Sequence, residues 1–217
     1  MLNYIEQEHI EVCQLEISNE NIIHYQPHHA VKKAKLNKTK FRIVFDASSY
    51  DPRMPSLNDT LQVGPNPLPE TFGCLLRFRI QEFAITGDVQ QAFLRLSLHK
   101  KDKDALRFVW YNLLQNKTFP NEITTYRFTH LPFGLACSPF LLCAVTRELA
   151  SKHMKIFPTA APMMDKNLYM DDFVASVETE PQIITLHREL TDLMLLIKIL
   201  MHKWATNSLM LQNLLRI

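Results

Sequence analysis

Two aspartates, Asp171 and Asp172, stand side by side in the run NLYMDDFVAS from Asn167 to Ser176. Their neighbours Tyr169, Met170, Phe173, Val174 and Ala175 are apolar or aromatic and read as strand residues. Adjacent carboxylates repel each other and resist burial. Successive strand residues also point to opposite faces, so a straight strand could not bring both carboxylates to one place. A hairpin resolves the conflict. LYM and FVA become its arms, and the two aspartates are presented at its tip. Without a glycine such a tip is tight. On the dipeptide alone, a solvated Asp-Asp turn with no chemistry is the simpler explanation.

Glycine is scarce, with four in 217 residues. The chain has no GxxxxGK or GxGxxG loop, so any nucleotide must be bound by side chains and metal rather than by a glycine cradle. The four cysteines form no CxxC pair, so no zinc site is expected. The first residues do not read as a signal peptide, and no apolar run approaches the roughly 20 residues of a membrane span. The expectation is a reduced, intracellular globular chain of one large or two small domains, with no membrane partner. The net charge of +2 says little, but its distribution says more. Lys32, Lys33, Lys35, Lys38, Lys40 and Arg42 crowd together, and no acidic residue lies between Glu20 and Asp46. Such a block is a solvated face or an anion-binding one.

The pattern along the chain mixes both periodicities. KFRIVFDAS (Lys40 to Ser48) and FAITGDV (Phe83 to Val89) read as strands. LRFVWY (Leu106 to Tyr111) and TTYRFTHL (Thr124 to Leu131) read as a hairpin with a polar turn around Asn116. SYDPRMPSLNDT and VGPNPLPETFG read as loops. A helix is expected from Ser138 to Met154, with Ser138 as N-cap and Pro139 in the first turn. A second helix follows Asp172. Thr179 and Gln182 have capping-box spacing, and Ile183, Leu186, Leu190, Leu193, Met194 and Ile197 form its apolar stripe. The fold class is α+β, with helices covering one face of an antiparallel sheet. Residues 1–24 carry no assignable pattern.

Asp88 ends the FAITGDV strand. Together with Asp171 and Asp172 it would suit a pair of Mg²⁺ ions, which bind one or two carboxylates plus substrate phosphates. Two ions roughly 3.5–4 Å apart can activate an attacking oxygen and stabilise a leaving one, the chemistry of nucleotidyl transfer. The cations would also relieve the repulsion between the paired carboxylates.

At this point the chain resembles a reverse transcriptase. YMDD (Tyr169 to Asp172) is similar to the family's catalytic hairpin, and DVQQAF (Asp88 to Phe93) to its first carboxylate motif. LPFGLACSP (Leu131 to Pro139) resembles the template and nucleotide-pocket motif, and KLNKTKFRIVFD (Lys35 to Asp46) the fingers motif. YQPHHAV, FRIVFDAS, LNDTLQVGP, LLRFRI and HKWATNS look like the BEL/Pao class of LTR retrotransposons of animals. The resemblance covers about Tyr25 to Ser208. It implies a right-hand polymerase with fingers and palm over 25–208, a short end over 209–217 and no thumb. It also implies Asp88 and Asp171 as ligands of Mg²⁺ (or Mn²⁺), with Asp172 as a supporting carboxylate. Lys35 and Arg42 would grip the incoming triphosphate. Phe93 would exclude a ribose 2′-hydroxyl, Phe133 and Gly134 would shape the nucleotide pocket, and Met170 would lie near the primer end. Lys203 resembles a late palm lysine that acts on the leaving pyrophosphate.

The implied partners are an RNA or DNA template with its primer, and dNTPs. Protease, RNase H and integrase domains of a Pol polyprotein would lie outside this chain. The implied location is the cytoplasm, a retroelement particle or the nucleus. Phe133 departs from the glutamine of many retroviral enzymes. LLIKILMHKW also lacks the glycines expected before Lys203 and Trp204. The alternative to an active polymerase core is an inactive retroelement remnant that at most binds nucleic acid.

Overall fold

The structure is a computed structural model that describes residues 1–13, 22–35, 38–112 and 122–215, with the side chains of 33–40 outside that description. In chain order the elements begin with α1 (Leu2–Glu6), β1 (Ile10–Val12), β2 (His28–Lys35) and β3 (Lys38–Phe45). Next come α2 (Leu57–Thr60), α3 (Thr71–Ile80), β4 (Phe83–Val89), β5 (Arg107–Tyr111) and β6 (Ile123–Phe128). The chain then runs through α4 (Ser138–His153), α5 (Ala160–Asn167), β7 (Leu168–Tyr169), β8 (Asp172–Val177), α6 (Glu180–Leu195), β9 (Met201–Thr206) and α7 (Leu209–Leu215). They divide into two units, 1–63 with 96–138 and 64–95 with 139–217. No helix among the described residues is long and apolar enough to cross a membrane.

In the first unit β2 and β3 pair antiparallel over their whole length, from His28 opposite Phe45 to Lys35 opposite Lys38. The basic block is therefore a two-stranded hairpin. Only its second strand was readable in sequence, because Lys, His and Ala are weak strand formers. The other sheet runs β1-β6-β5, with β5 and β6 the expected hairpin; its turn around Asn116 lies outside the described residues. The unassigned N-terminal segment contributes β1, which pairs Ile10 with Phe128. Phe45, Phe108 and Phe128 meet with ring centroids 4.8, 4.9 and 5.4 Å apart and form the aromatic core. Beside them Asp104, 2% exposed, accepts from Arg107 (Nη2 to Oδ1, 3.0 Å) and from Arg127 (Nη1 to Oδ1, 2.7 Å). Arg127 also donates to Glu11 at 2.8 Å, so a buried charge network ties β1 to β6. Buried charges persist only when paired in this way.

The second unit is built on an antiparallel sheet in the order β7-β8-β4-β9. Ile85 and Val89 of β4 and Phe173, Ala175 and Val177 of β8 are buried on one face. The period of two sends Thr86, Asp88 and Asp172 to the other. α3, α5 and α6 pack against this sheet. On α6 the stripe Ile183, Leu186, Leu190, Leu193 and Met194 is buried, each side chain contributing roughly 1.5–3 kcal/mol. The helix begins as its spacing predicts: the Thr179 N–H donates to Gln182 Oε1 at 3.0 Å. Ile197 falls beyond the last turn and is half-buried. At α4 the expectation needs correction. Ser138 is the first helical residue rather than the cap, and its hydroxyl donates to the Pro132 carbonyl at 3.1 Å.

Candidate active site

Asp88 lies directly opposite Asp172 in the β4–β8 pairing. Cross-strand partners present their side chains to the same face, so the two carboxylates share the side of the sheet opposite Phe173 and Ala175. Tyr169 pairs with Asp172, which leaves Met170 and Asp171 as a two-residue loop. The tip is thus not both aspartates, as the sequence had implied. Asp171 sits in the turn and Asp172 opens β8. Met170 has φ +55, the only positive φ in the loop. That sign pattern belongs to a type II′ turn, whose first position favours glycine because other residues are strained there. The turn is anchored from the neighbouring strand, where the Val89 N–H donates to the Asp171 carbonyl at 2.7 Å.

β9 brings Lys203 and His202 to Asp88, and neither the strand nor His202 was readable in sequence. Lys203 Nζ donates to Asp88 Oδ2 at 2.5 Å. His202 Nε2 lies 2.7 Å from Oδ1, but off the line a donating N–H would need, so it is a close contact rather than a formed hydrogen bond. Adjacent strand residues should face opposite ways. A β-bulge opposite Gly87 explains the exception. The register shifts between Thr86 and Asp88, setting Lys203 and Trp204 against one residue of β4, and Lys203 takes φ +52. Gly87 has a packing reason as well, because a Cβ there would stand 2.6 Å from the Trp204 ring.

Burial, and then the charges of Asp171 and Asp88, push the Asp172 carboxyl above the usual carboxylate range, with Lys203 opposing them. This crowding of negative charge is what a divalent cation relieves. Among the described residues, no three His, Cys, Asp or Glu side chains converge into a ready-made metal cluster. Mg²⁺ does not require one, since one or two carboxylates suffice when phosphates and water complete the shell. The hard oxygens of Asp88, Asp171 and Asp172 fit that donor set.

Of the other sequence-derived residues, Met170 lies in the turn itself. Phe93 follows β4 in a single 3₁₀ turn and is 7% exposed. Lys35, Arg42, Phe133 and Gly134 belong to the first unit. Arg42 is exposed on β3 opposite Val31, while the Lys35 side chain lies outside the described residues. Phe133 is 53% exposed. Gly134 has φ +96, and a Cβ there would come 3.2 Å from the Phe45 carbonyl oxygen, so only glycine turns freely at this point. Sequence reading missed the residue that fixes this turn. Asn58 Nδ2 donates to the Gly134 carbonyl at 3.0 Å and its Oδ1 accepts the Ala136 N–H at 2.9 Å. The signal was LNDT directly after a serine cap, a capping box that Ser56 and Asp59 form.

Residues 32–203 match the family described as reverse transcriptase (RNA-dependent DNA polymerase). No curated protein sequence matches significantly. Among solved structures, a foamy viral protease-reverse transcriptase in complex with double-stranded DNA is 19% identical with a TM-score of 0.67. The match covers 93% of this chain and 29% of that one. The same viral protein in complex with an RNA/DNA hybrid is 18% identical, TM-score 0.66, over 93% of this chain and 22% of that one. The native prototype foamy virus enzyme is 19% identical, TM-score 0.64, over 91% and 22%. The chain therefore spans less than a third of the length of these structures, and the likeness is one of fold.

Proposed function

The chain belongs to the reverse transcriptase family, and from that footing we propose that it is the fingers and palm core of a retrotransposon RNA-directed DNA polymerase of the BEL/Pao class. Residues 25–208 would form this core within a longer Pol polyprotein, working on a primed RNA or DNA template inside the cell or a retroelement particle. The reaction is attack of the primer 3′-hydroxyl on the α-phosphate of a dNTP. A new P–O bond forms and pyrophosphate leaves. Asp88 and Asp171 would hold Mg²⁺, or Mn²⁺, which neutralises phosphate charge and lowers the pKa of the attacking hydroxyl. Asp172 supports them from the first position of β8. Lys203, already within reach of Asp88, offers its ammonium to the leaving pyrophosphate as it departs. Arg42 and Lys35 would clamp the triphosphate, the arginine through its planar fork. Phe93 would close the sugar pocket to a 2′-hydroxyl by bulk and by denying it a hydrogen-bond partner. Phe133, Gly134 and Met170 would line the nucleotide and primer end.

One observation carries this reading. Asp88 and Asp172 are in direct register on one sheet face, and the turn bearing Asp171 is bonded to the same strand. Preorganised charge of this kind supplies most of the rate in phosphoryl transfer. Primer extension on an RNA template tests it. Asp171→Asn is expected to abolish extension at equal fold and concentration. Equal extension by wild type and variant would sink the assignment of Asp171, and no extension by either would leave the nucleic-acid-binding remnant in its place.

A further inference from the structure

Besides the Val89 bond to its own backbone, the short loop carrying Asp171 is held through its two arms. α5 ends at Asn167, immediately before β7. Carbonyls in the last turn of a helix have no intrahelical partner. One of these, Lys166 O, receives Arg77 Nη2 from α3 at 2.5 Å. The same guanidinium donates through Nε to Asn167 Oδ1 at 3.0 Å, and Asn167 is 4% exposed. Cys74, one turn earlier on α3, adds an S–H contact to Lys166 O at 3.4 Å. A cation at a helix C-terminus is also favoured by the helix dipole. The other arm is held by the main chain of the same residue. Ser176 of β8 donates its hydroxyl to the Arg77 carbonyl at 2.7 Å and accepts the Gln81 N–H at 3.2 Å. Gly73 keeps room for the guanidinium, since a Cβ there would lie 3.1 Å from Arg77 Nη1.

We propose that Arg77 is the positioning residue of the Asp171 hairpin: its guanidinium fixes the chain entering β7 and its carbonyl fixes β8, so that the turn meets Asp88 in one register. The inference rests on the polymerase reading for its catalytic consequence, but its structural half stands without it. The fork matters as well as the charge. Lysine's compact ammonium would have to serve both acceptors from one point, without the separate Nε and Nη2 donors with which the arginine reaches Asn167 Oδ1 and Lys166 O.

The experiment uses the full chain with Arg77→Lys, and with Asn167→Ala as a second variant that spares α3. Steady-state extension gives kcat and KM for dNTP, and hydrogen exchange reports protection segment by segment. Both variants are expected to lose kcat by on the order of ten- to a hundredfold with KM unchanged, the signature of misplaced groups. Exchange should accelerate across 168–173 and at Val89, while β5, β6 and α6 keep wild-type protection. Unaltered protection of 168–173 in Arg77→Lys overturns the inference. So does a loss spread evenly through the second unit, which would make Arg77 a general support. So does wild-type kcat with a loosened hairpin. If the wild-type chain shows no Asp171-dependent extension, the polymerase reading falls, and the exchange pattern still decides the role of Arg77.

Discussion

At Asp172 burial and two neighbouring carboxylates act in the same direction, raising its pKa above the ordinary 3.8. The folded chain then binds the proton more tightly than the unfolded chain. Stability is full below the ordinary value and is lost as pH rises through the raised one. Asp172→Asn removes the penalty. Without divalent cations the variant should melt higher than wild type at neutral pH, and the gap should close below pH 3.8, the unshifted value. Melting points that coincide at neutral pH would show that the crowding costs nothing. Function is expected to order the pair differently, with Asp171 the ligand and Asp172 the accessory. The residue whose loss is expected to stabilise would then differ from the one whose loss silences the site.

At the scale of an element, β9 shows how one irregularity recruits a side chain. Its bulge turns Lys203 to Asp88 while Trp204 packs over Gly87. Gly87→Ala should therefore destabilise by about 1–3 kcal/mol in urea unfolding, the usual cost of overpacking. Adding Trp204→Leu should recover most of it. A second substitution that recovers nothing would place the clash elsewhere. β4, β5, β6 and α6 were legible because their apolar residues recur at strand or helix spacing. The pairing of Asp88 with Asp172, beside the turn that carries Asp171, was legible as a place to look because carboxylates in apolar runs need a reason. Other elements resisted, among them β2, α3, α5 and β9. β2 is built from poor strand formers and exists by pairing with β3. α3 begins inside what reads as a Pro-rich loop and exposes Phe72, Leu75, Leu76 and Ile80, which blurs its amphipathic pattern. α5 is a short run, and β9 owes its strand state to β4. His202, Asn58 and Arg77 act across distances in sequence that no local period encodes.

Across the whole molecule the proposed metal ligands and the proposed phosphate grip fall in different units. The acidic cluster lies in the second unit, while the first carries the β2–β3 hairpin with exposed Lys32 and Arg42. Nucleic-acid binding by this chain should weaken linearly in log Kd against log salt as phosphate counterions are released. Arg42→Ala should reduce that slope by about 1, the share of a single phosphate contact. An unchanged slope would remove Arg42 from the interface. Strain is distributed as unevenly as charge. In the second unit Gln91, Met170, Lys198 and Lys203 hold positive φ without being glycine, a conformation that costs roughly 1–3 kcal/mol per residue. Gln91 follows Asp88, Met170 precedes Asp171, and Lys203 bonds Asp88. A copy released from selection for catalysis would gain stability by drifting to glycine or asparagine at these three positions. The proposed polymerase reading therefore carries a prediction for other copies of this domain: those kept for catalysis hold non-glycine residues at 91, 170 and 203 where glycine would be easier.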